Sequence, residues 1–498
     1  MTEPIALPLW LLLAGGLLAA WALLDRLLLP SVRWYFRRRV NIVITEINQR
    51  LDLKLPDFKL TQRKVLIDRL VYDPKVLAAV DEYCREHDVP REVALEKVER
   101  YAKEIVPAFN ALIYFRVGSW LSKTIARLLY RVRLGYADEA QLAKVDPNAS
   151  VVFVMNHRSH MDYILVSYLA VNRVALSYAV GEWARVWPFQ QLIQATGAYF
   201  VRRGSGDPFY RRVLARYVQM STEAGVVQAI FPEGGLSRDG AMREPKLGLL
   251  KYMLEDFDPQ GQRDMVFIPV GLNFDRVLED RTLLRKLDPD PEKLPRMFGI
   301  RTALKFIAHN IWLMLQGKWY RFGYAAANLG TPISMREYIK AQAPDFTDDD
   351  PERRIQRIRQ LARDLMAAVG QVIPVLPVAL IAHVFTEQPE KTFSNLELKA
   401  RAQQLIDQLE AVGAHVYIPR SDRDYAISVG LRMLTLRHLV LEDGNLYRAA
   451  ADELLLLRYY ANTISHFVPL AAAPAEEPAT ARAGNATERE QPSREQAS

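Results

Sequence analysis

Two hydrophobic periods alternate along the chain, and the places where one gives way to the other mark out its organisation. Pro4 to Leu24 carries no charge, and Leu27-Leu-Leu29 continues the apolar run. A stretch of that length crosses a hydrocarbon core of ~30 Å as a helix. From Val40 to about Leu134 apolar residues recur at three- and four-residue spacing, as in Val43-Ile44-Ile47-Leu51 and Val76-Leu77-Val80-Tyr83. That period predicts helices, with starts at Asp73-Pro74 and Val89-Pro90. From about Gln141 short apolar runs alternate with helical segments. Strands are predicted at Val151–Met155, Val174–Tyr178, Tyr199–Arg202, Val226–Phe231, Met265–Leu272 and Tyr320–Leu329. Helices are predicted at Trp187–Thr196, after Asp207-Pro208, and at Leu247–Met253. The alternation implies an α/β fold with a mainly parallel sheet flanked by helices. Asp350-Pro351 opens an amphipathic helix to about Val369, and the chain then stays mainly helical to Phe467.

The expected organisation is therefore a transmembrane anchor at 4–29, a helical region at 31–140, an α/β domain at 141–335, a mainly helical C-terminal domain at 345–467, and a disordered tail at 468–498. The tail consists of Ala, Pro, Glu, Arg and Ser without periodic apolar residues. Glu279 to Pro295, charged and proline-rich, reads as a surface loop. Tyr425–Val440 followed by Glu442-Asp-Gly-Asn445 reads as a helix and hairpin.

Charge orients the anchor. Arg26, Arg33, Arg37, Arg38 and Arg39 follow the apolar run, against Asp25, and only Glu3 precedes it. The positive-inside rule then puts the rest of the chain in the cytoplasm, held at the inner membrane by one span. A signal peptide would carry its positive charge before the apolar run instead. The net charge of +7 over 498 residues suits an anionic partner. The helix and hairpin near Tyr425 lack a concentrated basic stripe, so no nucleic-acid partner is expected. A single cysteine, Cys84, rules out an internal disulfide framework and a thiolate metal site.

The chemistry-bearing residues gather where the strands end. Val151–Met155 runs into Asn-His157-Arg158-Ser159-His160-Met-Asp162. Spaced five apart, His157 and Asp162 would stand ~140° apart on a continuous helix, so they meet only if the loop folds back first. Gly197-Ala-Tyr-Phe200-Val-Arg202-Arg203 ends in two guanidinium groups. Phe231-Pro-Glu233-Gly234 is followed by Ser237-Arg238 and Lys246, and Ile268-Pro-Val-Gly-Leu by Asn273-Phe-Asp-Arg-Val277. Active-site groups of α/β sheets sit beyond the carboxyl ends of strands.

These four segments, in this order, resemble the motifs of the glycerolipid acyltransferases: His-x4-Asp, Gly-x-x-Phe-x-x-Arg, Phe-Pro-Glu-Gly, and a proline after a hydrophobic strand at Val266-Phe-Ile-Pro-Val270. The extended first motif, running on to Tyr163 and to Ser167-Tyr168, resembles the glycerol-3-phosphate and dihydroxyacetone-phosphate branch. So do Asn273–Val277 and, near the end, Arg458-Tyr-Tyr-Ala-Asn462 and Ser465-His-Phe467, which look like the bacterial membrane-bound glycerol-3-phosphate acyltransferases. The third motif departs from the pattern. Gly235 and Leu236 stand where Thr-Arg or Gly-Arg is more usual, so one basic candidate for phosphate binding is missing.

The residues suit acyl transfer in their own right. An alcohol attacking a thioester must lose its proton, and histidine is the usual base. A carboxylate on the other ring nitrogen fixes the tautomer, which assigns His157 as base and Asp162 as its orienting acid. Backbone amides after His157 or around Gly234 could hold the oxyanion. Guanidinium forks suit an acceptor phosphate, with Arg202, Arg203, Arg238 and Lys246 as candidates and Arg158 and Ser159 as helpers. The resemblance favours Arg203 and Arg238 and assigns Glu233 and Gly234 to the acceptor site, with Gly197, Phe200 and Ser237 completing the motifs. It implies transfer from acyl-CoA or acyl-carrier protein to the sn-1 hydroxyl of glycerol 3-phosphate, beside membrane lipid and without a cofactor. A lysolipid acceptor is the nearest alternative. A metal-dependent hydrolase on His157, His160 and Asp162 is a remote one, short of ligands in sequence.

Overall fold

A computed structural model describes residues 56–170, 174–181, 185, 189–202, 206–285, 321–342 and 350–468. The apolar segment 4–29 lies outside them, as do the residues after 468. Among the described residues no helix is long and apolar enough to cross a membrane.

The strands are β1 (Arg131–Ala137), β2 (Ser150–Met155), β3 (Ser177–Gly181), β4 (Tyr199–Val201), β5 (Gln228–Ile230), β6 (Met265–Phe274), β7 (Tyr324–Leu329) and β8 (Ile333–Ser334). They form one mixed sheet in the order β1-β7-β6-β2-β5-β3-β4, with β8 also on β6. Pairings β1/β7, β6/β2, β2/β5, β5/β3 and β3/β4 are parallel, whereas β6/β7 and β6/β8 are antiparallel. The sheet is flanked by helices. Those used below are α1 (Arg91–Ile105), α2 (Ser119–Leu129), α3 (Met161–Ala170), α4 (Pro208–Glu223), α5 (Pro351–Gln371), α6 (Pro377–Glu387), α7 (Arg423–Leu436) and α8 (Leu454–Asn462).

The period-two rule explains why β2 sits at the centre. Val151 and Met155 face one core, with Leu165 of α3, Leu380 of α6 and Leu457 of α8. Val152 and Val154 face the other, with Val98 of α1, Val213 of α4 and Leu361 of α5. Every residue of β6 is buried, the signature of a strand covered on both faces. Helix starts follow the capping chemistry. The Asp207 side chain accepts from the amides of Phe209 and Tyr210, and Asp350 caps α5 in the same way.

The chain departs from its periodicity in three places. Arg131–Ala137, inside the run read as helical, is the edge strand of the sheet. It is largely exposed, so its Arg-Val-Arg-Leu alternation carries little apolar contrast. The strand expected at Val174–Tyr178 begins at Ser177. The segment read as a surface loop from Glu279 begins buried, with Asp280 at 4 % exposure. The helix and hairpin near the C-terminus form as expected, as α7 and the antiparallel pair β10 (Val440–Asp443) and β11 (Leu446–Ala449), with β9 (Phe393–Ser394) on its outer edge.

Two buried polar clusters fasten the C-terminal helices to the strand ends. The Asp275 carboxylate, just past β6, accepts from the amides of Tyr324 (2.7 Å) and Val378 (3.1 Å), and burial pushes it up to about 7. Asp280 accepts from Arg437 (2.6 Å) and from the Tyr460 hydroxyl (2.5 Å), which also takes a bond from Arg437 (2.7 Å). Removing one partner of a buried pair strands the other charge, at a cost of about 3–5 kcal/mol. Arg437→Ala is therefore expected to lose about that much stability in urea unfolding. A loss below about 1 kcal/mol would show that the pair does not hold the C-terminal helices in place.

Candidate active site

The first loop is organised by Asn156, the residue after β2. Its side-chain amide donates to the Leu272 carbonyl (2.9 Å) and accepts from the Leu272 amide (2.8 Å). The side chain thus replaces one step of backbone pairing with β6 and lets the main chain turn away. The loop then folds back as the spacing demanded. Asp162, in the first turn of α3, takes three N–H donors on one oxygen: His157 Nδ1 (2.8 Å), the Arg158 amide (2.7 Å) and the Ser159 amide (3.1 Å). Both His157 and Asp162 are buried. With Nδ1 held by the carboxylate, Nε2 is the nitrogen left for proton transfer. The imidazole stacks on Phe231 (centroids 4.2 Å apart) and meets the Tyr163 ring edge-on (5.6 Å).

A second carboxylate braces the loop from outside. Glu279 accepts from the Ser159 hydroxyl (2.7 Å) and the His160 amide (3.3 Å), while Ser159 Oγ accepts from the Met161 amide (3.1 Å). Burial raises the Glu279 carboxyl above its ordinary range. A third carboxylate, Glu233, accepts from the His157 amide (3.1 Å), and the Ser237 amide returns a bond to the His157 carbonyl (3.0 Å). The loops of the first and third motifs are thereby joined on both sides of the histidine.

Gly234 turns the third motif with φ +67°, and a Cβ there would meet Lys246 Cδ at 2.6 Å. The glycine therefore supplies the backbone conformation and makes room for the Lys246 stem. Lys246 and Arg238 are exposed. Ser237 is buried, with its hydroxyl on the Ala241 carbonyl (2.7 Å).

Several expected phosphate contacts lie elsewhere. Arg202 forms a two-pronged bond to Glu104 of α1 (2.8 and 2.7 Å) and stacks over Tyr101 and Tyr210. Its charge is spent on tying β4 to α1, so it drops from the acceptor site. Arg158 is fully buried and donates to the carbonyls of Gly240 and Ala241, which makes it a brace between loops. Ser159 is likewise committed to Glu279. Phe200 is a core side chain, packed with Val180 and Ala198. Gly197, at φ +88°, lies against Phe109 and Lys59. Arg203 lies outside the described residues.

The amides after His157 are also taken. Those of Arg158 and Ser159 serve Asp162, that of His160 serves Glu279, and those of Met161 and Asp162 serve Ser159. In the next turn Gly234 N is bonded to the Phe231 carbonyl. The amides of Gly235 and Leu236 carry no hydrogen bond from the described residues. Asp162 is surrounded by N–H donors on its bonded oxygen, which is the wrong environment for a cation. Among the described residues no group of His, Cys, Asp or Glu is arranged to hold a metal ion.

Asn156 and Glu279 were not singled out by sequence reasoning. The one signal was position, since each directly flanks a motif.

Residues 138–273 match the family model described as Acyltransferase, and residues 310–476 match the one described as Glycerol-3-phosphate acyltransferase C-terminal region. Among curated proteins the chain is similar to the glycerol-3-phosphate acyltransferase of Pseudomonas syringae pv. syringae, 26 % identical over 82 % of this chain and 49 % of that one. That of Xylella fastidiosa (strain M23) is 25 % identical over 87 % and 49 %. That of Pseudomonas aeruginosa (strain UCBPP-PA14) is 28 % identical over 69 % and 41 %. The resemblance carried by the motifs is thus borne out, and the chain spans about half the length of the curated relatives that it matches.

Burial gives Glu233 a pH signature. Desolvation pushes its carboxyl up to about 7, partly opposed by Arg158 and the His157 amide. A carboxyl raised on folding stabilises the protein fully below its unfolded value near 4.5 and loses that contribution as pH rises to about 7. The advantage of Glu233→Gln over the wild type should therefore grow between pH 4.5 and 7, towards about 3 kcal/mol, at 1.36 kcal/mol per pKa unit. Parallel urea titrations of both proteins give the difference. A gap that does not change with pH would place the ionised carboxylate at no disadvantage.

Proposed function

We propose that the chain is a membrane-anchored acyltransferase that moves a fatty acyl group from an acyl thioester to the sn-1 hydroxyl of glycerol 3-phosphate, an opening step of phospholipid synthesis. The observation that carries this reading is the buried His157–Asp162 pair at 2.8 Å, joined through Glu233 and Ser237 to the third motif. The family models and the named relatives support the same reaction.

In this reading His157 Nε2 takes the proton of the acceptor hydroxyl as its oxygen attacks the thioester carbonyl. The tetrahedral oxyanion then collapses, the carbon–sulfur bond breaks, and the imidazolium returns the proton to the leaving thiolate. No serine nucleophile and no cofactor enters. Asp162 holds Nδ1–H and stabilises the imidazolium, as the acid does in a hydrolytic triad. Since the amides of the first loop are committed, the Gly235 and Leu236 amides are the donors for the oxyanion. Arg238 and Lys246 are free at the surface beside the third motif to take the acceptor phosphate, with Arg203 joining them by its place in the second. Arg158, Ser159 and Glu279 position the loop. Met155, Tyr163, Tyr178 and Phe231 line an apolar cavity of only about 10 Å³ beside the imidazole, which keeps its surroundings non-polar without room for an acyl chain. The segment 4–29 supplies the anchor and places the site on the cytoplasmic side.

Radiolabelled glycerol 3-phosphate and acyl-CoA test this directly. His157→Ala should abolish transfer while leaving the circular dichroism unchanged, and Asp162→Asn should cost on the order of 10⁴ in rate through the wrong tautomer. Arg238→Ala should raise the KM for glycerol 3-phosphate about tenfold, equivalent to ~1.4 kcal/mol, with a smaller effect on kcat. Full activity in His157→Ala would remove it as the base. A lysolipid accepted in place of glycerol 3-phosphate would move the chain to another acceptor class.

A further inference from the structure

On the same side of the sheet as the candidate active site, α2, β1 and α3 enclose a groove of about 370 Å³. Four arginines line it, Arg127, Arg131, Arg133 and Arg321, with Tyr168 and Tyr130. All four arginines are exposed. Their local partners are neutral. Arg127 donates to the Tyr168 hydroxyl (3.3 Å) and stacks on that ring, Arg131 sits over the Tyr324 ring at 5.8 Å, and Arg133 donates to the Tyr417 hydroxyl (2.9 Å). Among the described residues no carboxylate forms an ion pair with any of the four. The sequence keeps acids away, because from Ile105 to Ala137 there is no Asp or Glu. Arg202 and Arg437, by contrast, are paired with Glu104 and Asp280. Four unneutralised guanidinium groups around one concavity repel one another and call for a ligand with several negative charges.

Topology fixes where the groove lies. β1 is parallel to β7, β7 antiparallel to β6, and β6 parallel to β2. β1 therefore begins at the edge of the sheet where β2 ends in His157. Arg131 is level with Tyr324, next to the Ala325–Phe274 pair, while Met155 is level with Val270. Three strand spacings and a few residues of rise put the groove on the order of 15–20 Å from His157. Tyr168 lies between the two, on α3, whose first turn holds Asp162.

We propose that this groove binds the phosphates of the nucleotide end of an acyl-coenzyme A donor. The inference rests on the acyl-transfer reading of the same sheet edge. A pantetheine arm bridges a separation of this order between a thioester and its nucleotide. The diphosphate and the ribose phosphate together bring about four negative charges, matching the four arginines. The concavity suits a compact polyanion better than a flat bilayer surface, and the half-buried Tyr168 lends an aromatic surface to a nucleotide.

The test is the double variant Arg127→Gln/Arg321→Gln in the full chain. Its KM for palmitoyl-CoA should rise at least tenfold. Its KM for glycerol 3-phosphate and its rate with the nucleotide-free thioester S-palmitoyl-N-acetylcysteamine should stay within twofold. Adenosine 3′,5′-bisphosphate, followed by calorimetry without any turnover, should bind the wild type and lose at least tenfold in the variant. An unchanged KM for palmitoyl-CoA overturns the proposal, and so does an equal loss with the truncated thioester. Loss of binding to phosphatidylglycerol vesicles with the KM intact also overturns it, because the groove would then face lipid. If no acyl transfer is found yet the bisphosphate binds through these arginines, the groove stands and the reaction assigned to the site falls.

Discussion

One oxygen of Asp162 carries the site. It gathers the His157 ring and two consecutive amides, and the loop has no other way to close over five residues. Once that oxygen is in place, the imidazole has one tautomer and one orientation. The rest of the loop is then built outward in layers. Ser159 and Glu279 hold its far side, Glu233 and Ser237 join it to the third motif, and Arg158 runs through to the carbonyls of Gly240 and Ala241. The nearby carboxyls of Glu233 and Glu279 are raised above their ordinary range by burial.

The legible part of the fold was that set by period and by capping. β2 and β6, the helix after Asp207-Pro208 and the helix after Asp350-Pro351 all combine a strong apolar pattern with a boundary residue, and they form close to where the sequence puts them. β1 was missed because an exposed edge strand needs few apolar residues and its arginines look like a helix surface. Spacing made the fold-back of the first motif a condition of any His157–Asp162 pairing, and the loop meets that condition. The fate of Arg202 was not legible. Its partner Glu104 lies 98 positions away, and nothing local to the Arg pair announces it. The same holds for Glu279, which lies 120 positions from the Ser159 it holds. Local motifs identify which side chains can act, whereas long-range partners decide which are still free to do so.

The C-terminal helices matter for the same reason. Gly240, at φ +86°, is pressed so closely against the Tyr459 carbonyl that a Cβ would overlap it, and Asn462 donates to the Asp239 carbonyl (2.9 Å). The Asp280–Arg437–Tyr460 cluster holds the segment after β6 in the same grip. Helix α8 therefore lies behind the third-motif loop and gives Arg158 a buried environment.

That contact bears on what counts as a unit in this protein. Family models divide the chain into a segment ending at 273 and another starting at 310, as though a catalytic module were followed by an appendage. Energetically the division does not exist. The two cores of the sheet draw side chains from both segments, and the buried arginine of the first motif finds its surroundings in the second. An isolated 138–273 fragment would lose the side chains that α5, α6 and α8 pack onto its sheet and leave the buried Arg158 with less cover. Inheritance can shuffle such segments as text, but in the molecule they share the same two cores across one sheet.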